Sequence, residues 1–439
     1  MMRLVSTRDS TRAVSFKQAV LDTVPRDGGL YVPYGDDDLR PWILYMDGNT
    51  SFSSIAGSLT SALLKEEFSP VVSERIAGAA FAGYSPELRR LDERLYLLEL
   101  FHGPTGSHKD WGLSWLASAL EHILTMEDRT AIVVAATGGQ SARSIAHAFA
   151  GKKRLKTVIV HARGSVRGLD EAWLSRSGGN IYPVEVDGDL SSVLTLVRTI
   201  YSDPEIVDRY GLTLANTMNI GRLLPQVFCY MYAFSRLRTS LDGELFYSVF
   251  SGNYGNLVAG LYAWKFCLPV NGFLTDSTTG LNCDAAGRCR CTDSGIPLLD
   301  RGPADPVLPS NLERLEQVFQ VNPAMLKGLV FPVAVPPSRI PELQKKAFTD
   351  YGHYFDSATA SAWGAVLDSR QRLDSDQGTV VLVSKDHPVF NSKGIHQACG
   401  SAPVMTSFLE AVSLPVSGVE RIALDKAALV AVLEQVARS

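Results

Sequence analysis

From residue 95 onward, short apolar runs alternate with helix-length stretches, and this rhythm restricts the chain to a narrow group of folds. Apolar runs at 95–101, Ala131–Ala136, 157–161, Ile181–Val186, 246–250, 270–274 and Thr379–Ser384 show little in–out alternation. Runs of that kind suit strands buried on both faces. Helical patterns follow from Lys109, from about Ala142, and over 169–177, Leu190–Tyr201, 222–237 and 256–266. Strands separated by helices of this size predict βαβ units and parallel sheets covered on both sides. Later helices are expected near 311–320, 339–349 and 358–369. Residues 52–94 read as mostly helical, after a helical start at 16–24, a turn at 25–29 and a short apolar stretch at 30–32. Residues 276–308, rich in Gly, Asp, Cys, Pro and Thr, read as a long irregular insertion.

The chain has 439 residues, enough for two or three domains. A formal net charge of -4, without a clustered basic tract, argues against nucleic acid or anionic membrane as a partner. No apolar stretch reaches the length of a membrane span, and no apolar run follows the N-terminal Met-Met-Arg, so a cytoplasmic protein is expected. Of six cysteines, Cys283, Cys289 and Cys291 cluster. A zinc site would need a fourth ligand and better spacing, so they are expected to be free thiols in a polar loop, and no metal is expected.

Three strand-to-helix loops carry candidate chemistry. Residues 251–256 (Ser-Gly-Asn-Tyr-Gly-Asn) follow a strand and open a helix. Glycine lets the backbone approach an anion, and N–H groups at a helix start point toward it, so the loop suits a phosphate; an ordinary βα turn reads the same way. Residues 137–141 (Thr-Gly-Gly-Gln-Ser) end another strand, where open α/β sheets bind ligands. They suit a carboxylate, or else are a plain helix cap at Ser141. The third loop delivers Lys109 to a helix start, where its charge opposes the helix dipole. Such a lysine is either solvated surface or an amine with a job, such as a Schiff base.

The motifs together resemble one family. Residues 98–105 (LELFHGPT), followed by Lys109-Asp110, resemble the threonine synthase segment LELFHGPT-x-x-F-K-D. Residues 252–256 (GNYGN) look like its GNFGN phosphate cradle, and 216–222 (NTMNIGR) like its NSINxxR segment. Ser6-Thr7-Arg8, residues 27–33 (DGGLYVP), 180–188 (NIYPVEVDG), Pro309-Ser310-Asn311 and His387-Pro388 also fall in family order.

The resemblance implies a fold-type II, tryptophan synthase β-like α/β enzyme that uses pyridoxal phosphate. It implies two parallel-sheet domains with the cofactor between them: residues 95–128 with 213–439, and a smaller inserted domain at 129–212, after a largely helical N-terminal region at 1–94. The implied reaction turns O-phospho-L-homoserine and water into L-threonine and phosphate. Lys109 would be catalytic and hold the cofactor as a Schiff base. Gly252, Asn253, Tyr254, Gly255 and Asn256 would hold its phosphate, and Ser384 or Lys385 would meet its ring nitrogen. His108, Thr137, Gln140, Ser141, Asn219 and Arg222 would face a small amino-acid substrate, with Arg222 on its phosphate. A monomer or homodimer is expected.

The chain departs from the family pattern mainly on the substrate side. The family's TSGDTG loop reads Thr137-Gly138-Gly139-Gln140-Ser141-Ala142, an aromatic residue is replaced by His108, and the threonine of STAHPAKF aligns with Lys385. Residues 356–360 (DSATA) lack the histidine of the family's DPHTA. Two rival expectations follow. One is a paralog performing elimination or β/γ-replacement on another phosphorylated or γ-substituted amino acid, in secondary metabolism. The other is a non-catalytic binding protein, in which Lys109 carries no cofactor.

Overall fold

The apolar runs assemble into two separate parallel sheets. The computed structural model describes residues 2–35, 37–137, 139–286, 288–291, 296–320, 322–370 and 378–439. The larger sheet runs Val330–Val333, Gly272–Asp276, Leu245–Ser248, Thr379–Ser384, Leu95–Glu99, Glu87–Arg90. The first five strands are parallel and Glu87–Arg90 is antiparallel at the edge. Every residue of Leu245–Ser248, Gly272–Asp276 and Thr379–Ser384 is buried, as the missing alternation requires of strands covered on both faces. The edge strand carries Glu87, Arg89 and Arg90 and buries none of its residues. Those charges protect an open edge, and they also hid the strand within a region that reads as helical.

The smaller sheet is wholly parallel, in the order Glu420–Ile422, Ile181–Val186, Leu155–Ala162, Ala131–Ala136, Leu212–Thr213. The expected division gave all of 213–439 to the larger sheet. The chain end instead returns to the smaller one. Glu420–Ile422 adds to its outer edge, and the helix Lys426–Arg438 buries Leu429, Val432, Leu433 and Val436 in the same apolar cluster as Val158, Val160 and Val184.

The N-terminal helices Phe52–Leu63 and Pro70–Ala80 each start at a serine, Ser51 and Ser69, whose side chain accepts from a backbone N–H of the first turn. With the helix Phe16–Asp22 they belong to the core around the helix Lys109–Met126. The Trp111 ring lies 4.9 Å from that of Phe52, and Trp115 lies 5.7 Å from Phe16. Fully burying an aromatic side chain of this kind contributes about 2–3 kcal/mol, so the helix that begins with Lys109 is firmly seated.

Several local expectations are corrected. The helix expected over 222–237 is broken at Pro225 into Ile220–Leu223, a 3-10 turn at Leu224–Gln226, and Val227–Leu237. Residues 169–177 form only two 3-10 turns, Glu171–Trp173 and Ser175–Ser177, stopped by Gly178 at φ 86°. The insertion contains a hairpin, Leu281–Cys283 with Cys289–Cys291, although residues 287 and 292–295 lie outside the described ones. None of the six cysteines forms a disulfide. Cys289 and Cys291 belong to the core and Cys283 donates to the carbonyl of Pro332 at 2.8 Å, so the cluster is packed hairpin, not polar loop. Among the described residues, no helix is long and apolar enough to cross a membrane.

Candidate active site

The strands of both sheets end at one cleft of about 390 Å³. Its walls include residues within five positions of a strand's carboxyl end: Thr137, Leu214 to Thr217, Phe250, Gly252, Asn253, and Lys385 with Asp386. Carboxyl ends of parallel strands are where open α/β sheets bind ligands. Lys109, Gly252, Asn253, Gly255 and Asn256 line this one cleft. The amine and the glycine turn, 143 residues apart in sequence between Lys109 and Gly252, thus face each other's space.

The loop before Lys109 is built around Asp110. Its buried carboxylate accepts from the Thr105 N–H at 2.8 Å and the Thr105 hydroxyl at 2.6 Å. A Cβ on Gly103 would stand 2.6 Å from Asp110 Oδ2, so the loop closes only over glycine. Thr105 Oγ1 also lies 2.7 Å from Ser144 Oγ, in the helix Gln140–Phe149 beside the smaller sheet. Lys109 Nζ donates to Ser107 Oγ at 3.4 Å and stands 3.7 Å from Asp386 Oδ1. Ser107 Oγ donates to the same Asp386 oxygen at 2.5 Å. Burial would raise the Asp386 carboxyl, but facing His108, the Lys109 charge and the Ser107 hydroxyl hold it well below the usual range. His108 lines the cleft with Nδ1 3.6 Å from Asp386 Oδ1. Burial pushes its imidazole down to about 4, which leaves it neutral near pH 7.

The glycine loop opens the helix Gly255–Lys265. Gly252 has φ 50° and Tyr254 φ 65°. Tyr254 supplies no side-chain cap, but Asn253 Oδ1 accepts from the Gly255 N–H at 3.2 Å, so it is the next N–H groups of the first turn that are left for an anion. Asn311 braces the loop: its N–H donates to the Asn253 carbonyl at 3.0 Å, and its amide to Thr217 Oγ1 at 2.9 Å. Asn256 Nδ2 donates to Gln226 Oε1 at 3.1 Å. The Tyr254 side chain is turned away, with its hydroxyl 2.6 Å from Thr278 Oγ1, and it is not a wall residue.

On the other side stands Arg222, only 4% exposed, with Nη1 buried and unpartnered. Burial lowers it to about 10, against the pull of Asp110. It remains charged at neutral pH, and a buried cation with an unspent donor calls for an anion. Thr137 and Ser141 share the cleft. Gln140 is not in its wall, although its Nε2 has no partner; Gly138 lies outside the described residues. Asn219 is fully buried and spent on structure, since Oδ1 accepts from Gly221 N–H and Nδ2 donates to the Val20 carbonyl. Ser384 is likewise turned inward, 2.9 Å from Thr359 Oγ1, whereas Lys385 lines the cleft. Sequence reasoning missed Gln226, Phe250 and the Pro306–Val307 wall of the insertion.

These features fit pyridoxal phosphate: an amine within the cleft, a glycine cradle at a helix start, and a second, cationic anion site. The comparisons agree. Residues 3–79 match the threonine synthase N-terminus family. The chain is 30% identical over 371 residues to the threonine synthase of Escherichia coli (strain K12), covering 84% of this chain and 85% of that one. It is 31% identical over 332 residues to the threonine synthase of Serratia marcescens, covering 75% and 76%. The crystal structure of threonine synthase from Escherichia coli superposes with a TM-score of 0.78 at 27% identity, over 99% of this chain and 100% of that one. That of pyridoxal-phosphate-bound threonine synthase from Brucella melitensis does so with 0.83 at 21% identity, over 100% of both chains, and shows the shared fold. The chain belongs to the threonine synthase family of fold-type II, pyridoxal-phosphate-dependent lyases.

Proposed function

We propose that the protein converts O-phospho-L-homoserine and water into L-threonine and phosphate. The observation that carries this reading is the pairing, in one cleft, of a glycine cradle with the buried, unpartnered Arg222. Such a cleft has places for two phosphates, one on the cofactor and one on the substrate. Pyridoxal phosphate, when bound, supplies the electron sink for loss of the α-proton and of the γ-phosphate.

The side chains supply position and proton traffic. Lys109 would hold the cofactor's aldehyde carbon, and its Nζ is the base that would take the α-proton of the substrate. Ser107 and Asp386 hold that amine at the helix start. Gly252, Asn253, Gly255 and Asn256 would hold the cofactor phosphate through the loop and helix N-terminus. Arg222 offers its guanidinium to the substrate phosphate, a geometry suited to a fork of donors. Thr137 and Ser141 present hydroxyls to the substrate carboxylate. Neutral His108 is placed to hand on a proton during addition of water at the β-carbon.

A second reading is favoured by Lys385 in the cleft wall: the same chemistry on a different phosphorylated or γ-substituted amino acid. Incubation of the loaded enzyme with O-phospho-L-homoserine separates the two. Threonine and phosphate in equal amounts are expected, and Lys109→Ala is expected to lower turnover by about 1,000-fold or more. No threonine, together with a changed cofactor absorbance for another amino acid, would favour the second reading. Absence of a borohydride-stable cofactor adduct on Lys109 would remove both.

A further inference from the structure

The geometry points to Lys385 as a second cationic contact for the bound cofactor, an assignment that rests on the pyridoxal-phosphate reading of the cleft. The strand Thr379–Ser384 ends by delivering this lysine into the cleft wall, where it is only 8% exposed. Nζ donates to the carbonyl of Phe250 at 2.6 Å. An ammonium has three donors. Among the described residues, no other hydrogen bond and no carboxylate within 4.0 Å takes the remaining two. The acids that surround it are engaged elsewhere. Asp276 accepts from Ser251 N–H at 2.7 Å, Asp356 caps its helix through Thr359 N–H at 2.8 Å, and Asp386 accepts from Ser107.

Burying an ammonium with donors unspent is costly unless a ligand takes them. The position of the amine says which ligand. A Cβ placed on Gly252 would lie 3.9 Å from Lys385 Nζ, so the amine sits beside the bare glycine of the phosphate cradle. Ser384, the neighbouring alternative, is excluded by its buried contact with Thr359. The ligand chemistry is therefore a hydrogen-bond acceptor of pyridoxal phosphate, either a phosphate oxygen or the ring nitrogen. A donor-only, positively charged neighbour also opposes an added proton on the cofactor ring.

The test is equilibrium titration of the cofactor-depleted full-length protein with pyridoxal phosphate and, separately, with pyridoxal. Wild type is compared with Lys385→Met, Lys385→Thr and Lys385→Arg, and borohydride-trapped peptides are mapped. The methionine and threonine variants are expected to bind pyridoxal phosphate about tenfold or more weakly, and the arginine variant within about threefold of wild type. A loss seen only with pyridoxal phosphate assigns the amine to the phosphate; a loss with both ligands assigns it to the ring. Unchanged affinity in both the methionine and threonine variants, with the label still on Lys109, overturns this inference alone. A label on Lys385 overturns it too. A wild-type protein that takes no label on Lys109 overturns the cofactor reading itself, and this inference with it.

Discussion

Arg222 and Lys385 are two buried cations on one cleft, each with donors that the protein leaves unused. Each is placed for ligand at the expense of stability. Removing the Arg222 guanidinium as Arg222→Met is expected to lower kcat/KM for a phosphorylated substrate about 100-fold, chiefly through KM, and to weaken inhibition by inorganic phosphate. Steady-state kinetics with phosphate as competitor measures both. Lys385 gives a pH signature. Burial pushes its amine down from 10.5 to about 8, although Asp276, Asp386 and Asp356 pull the other way. Below pH 8 the ammonium is charged in folded and unfolded chains alike, and the folded chain bears the full penalty. Between pH 8 and 10.5 the folded chain has released the proton while the unfolded chain still holds it, so stability rises with pH. Urea unfolding of the cofactor-depleted protein should therefore find Lys385→Met more stable than wild type at pH 7, on the order of 1–3 kcal/mol, with the gap closing by pH 10.5. A gap that stays constant across that window would refute the buried-ammonium account.

At the scale of elements, the helix Lys109–Met126 sets the precision of the site, because it carries Lys109 and packs Gly112 against Arg222. A Cβ on Gly112 would collide with both the guanidinium and the backbone carbonyl of Arg222. Alanine is normally better than glycine inside a helix by about 1 kcal/mol. Here Gly112→Ala is expected to destabilise by about 1–3 kcal/mol despite that gain and to raise KM, read by thermal melting and kinetics side by side. A stabilised variant with unchanged KM would contradict the packing. The same helix shows why the site was readable in sequence. Gly103, Thr105 and Asp110 are tied to one another within a few residues, so their spacing carries the signal. Asn219 misled for a related reason: it stands beside Arg222 in sequence, yet its side chain is used up in starting the helix Ile220–Leu223. Local pattern records that a polar residue is needed, not which way it faces. The wall formed by Pro306 and Val307 had no local signal, because it depends on how a long insertion folds back.

For the whole molecule, sheet-forming runs and the two-sheet plan were legible because buried parallel strands are apolar throughout. The return of the chain end to the smaller sheet was not, since Glu420–Ile422 is a three-residue edge strand with no buried residue. That return has support along its path. Arg143 Nη1 donates to the Val412 carbonyl at 2.9 Å, Gly168 N–H donates to that of Leu414 at 2.8 Å, and Arg421 pairs with Glu185 at 2.8 Å. A chain cut after Cys399 would strip the outer strand and its covering helix, leaving Ile181–Val186 with open N–H and C=O groups over a bare apolar face. Such a chain is expected to self-associate, and sedimentation would show it as large species where the intact protein gives a discrete one. Residues 400–439 thus act as a clasp: none of them lines the cleft, yet without them one jaw of the enzyme becomes a template for its own aggregation.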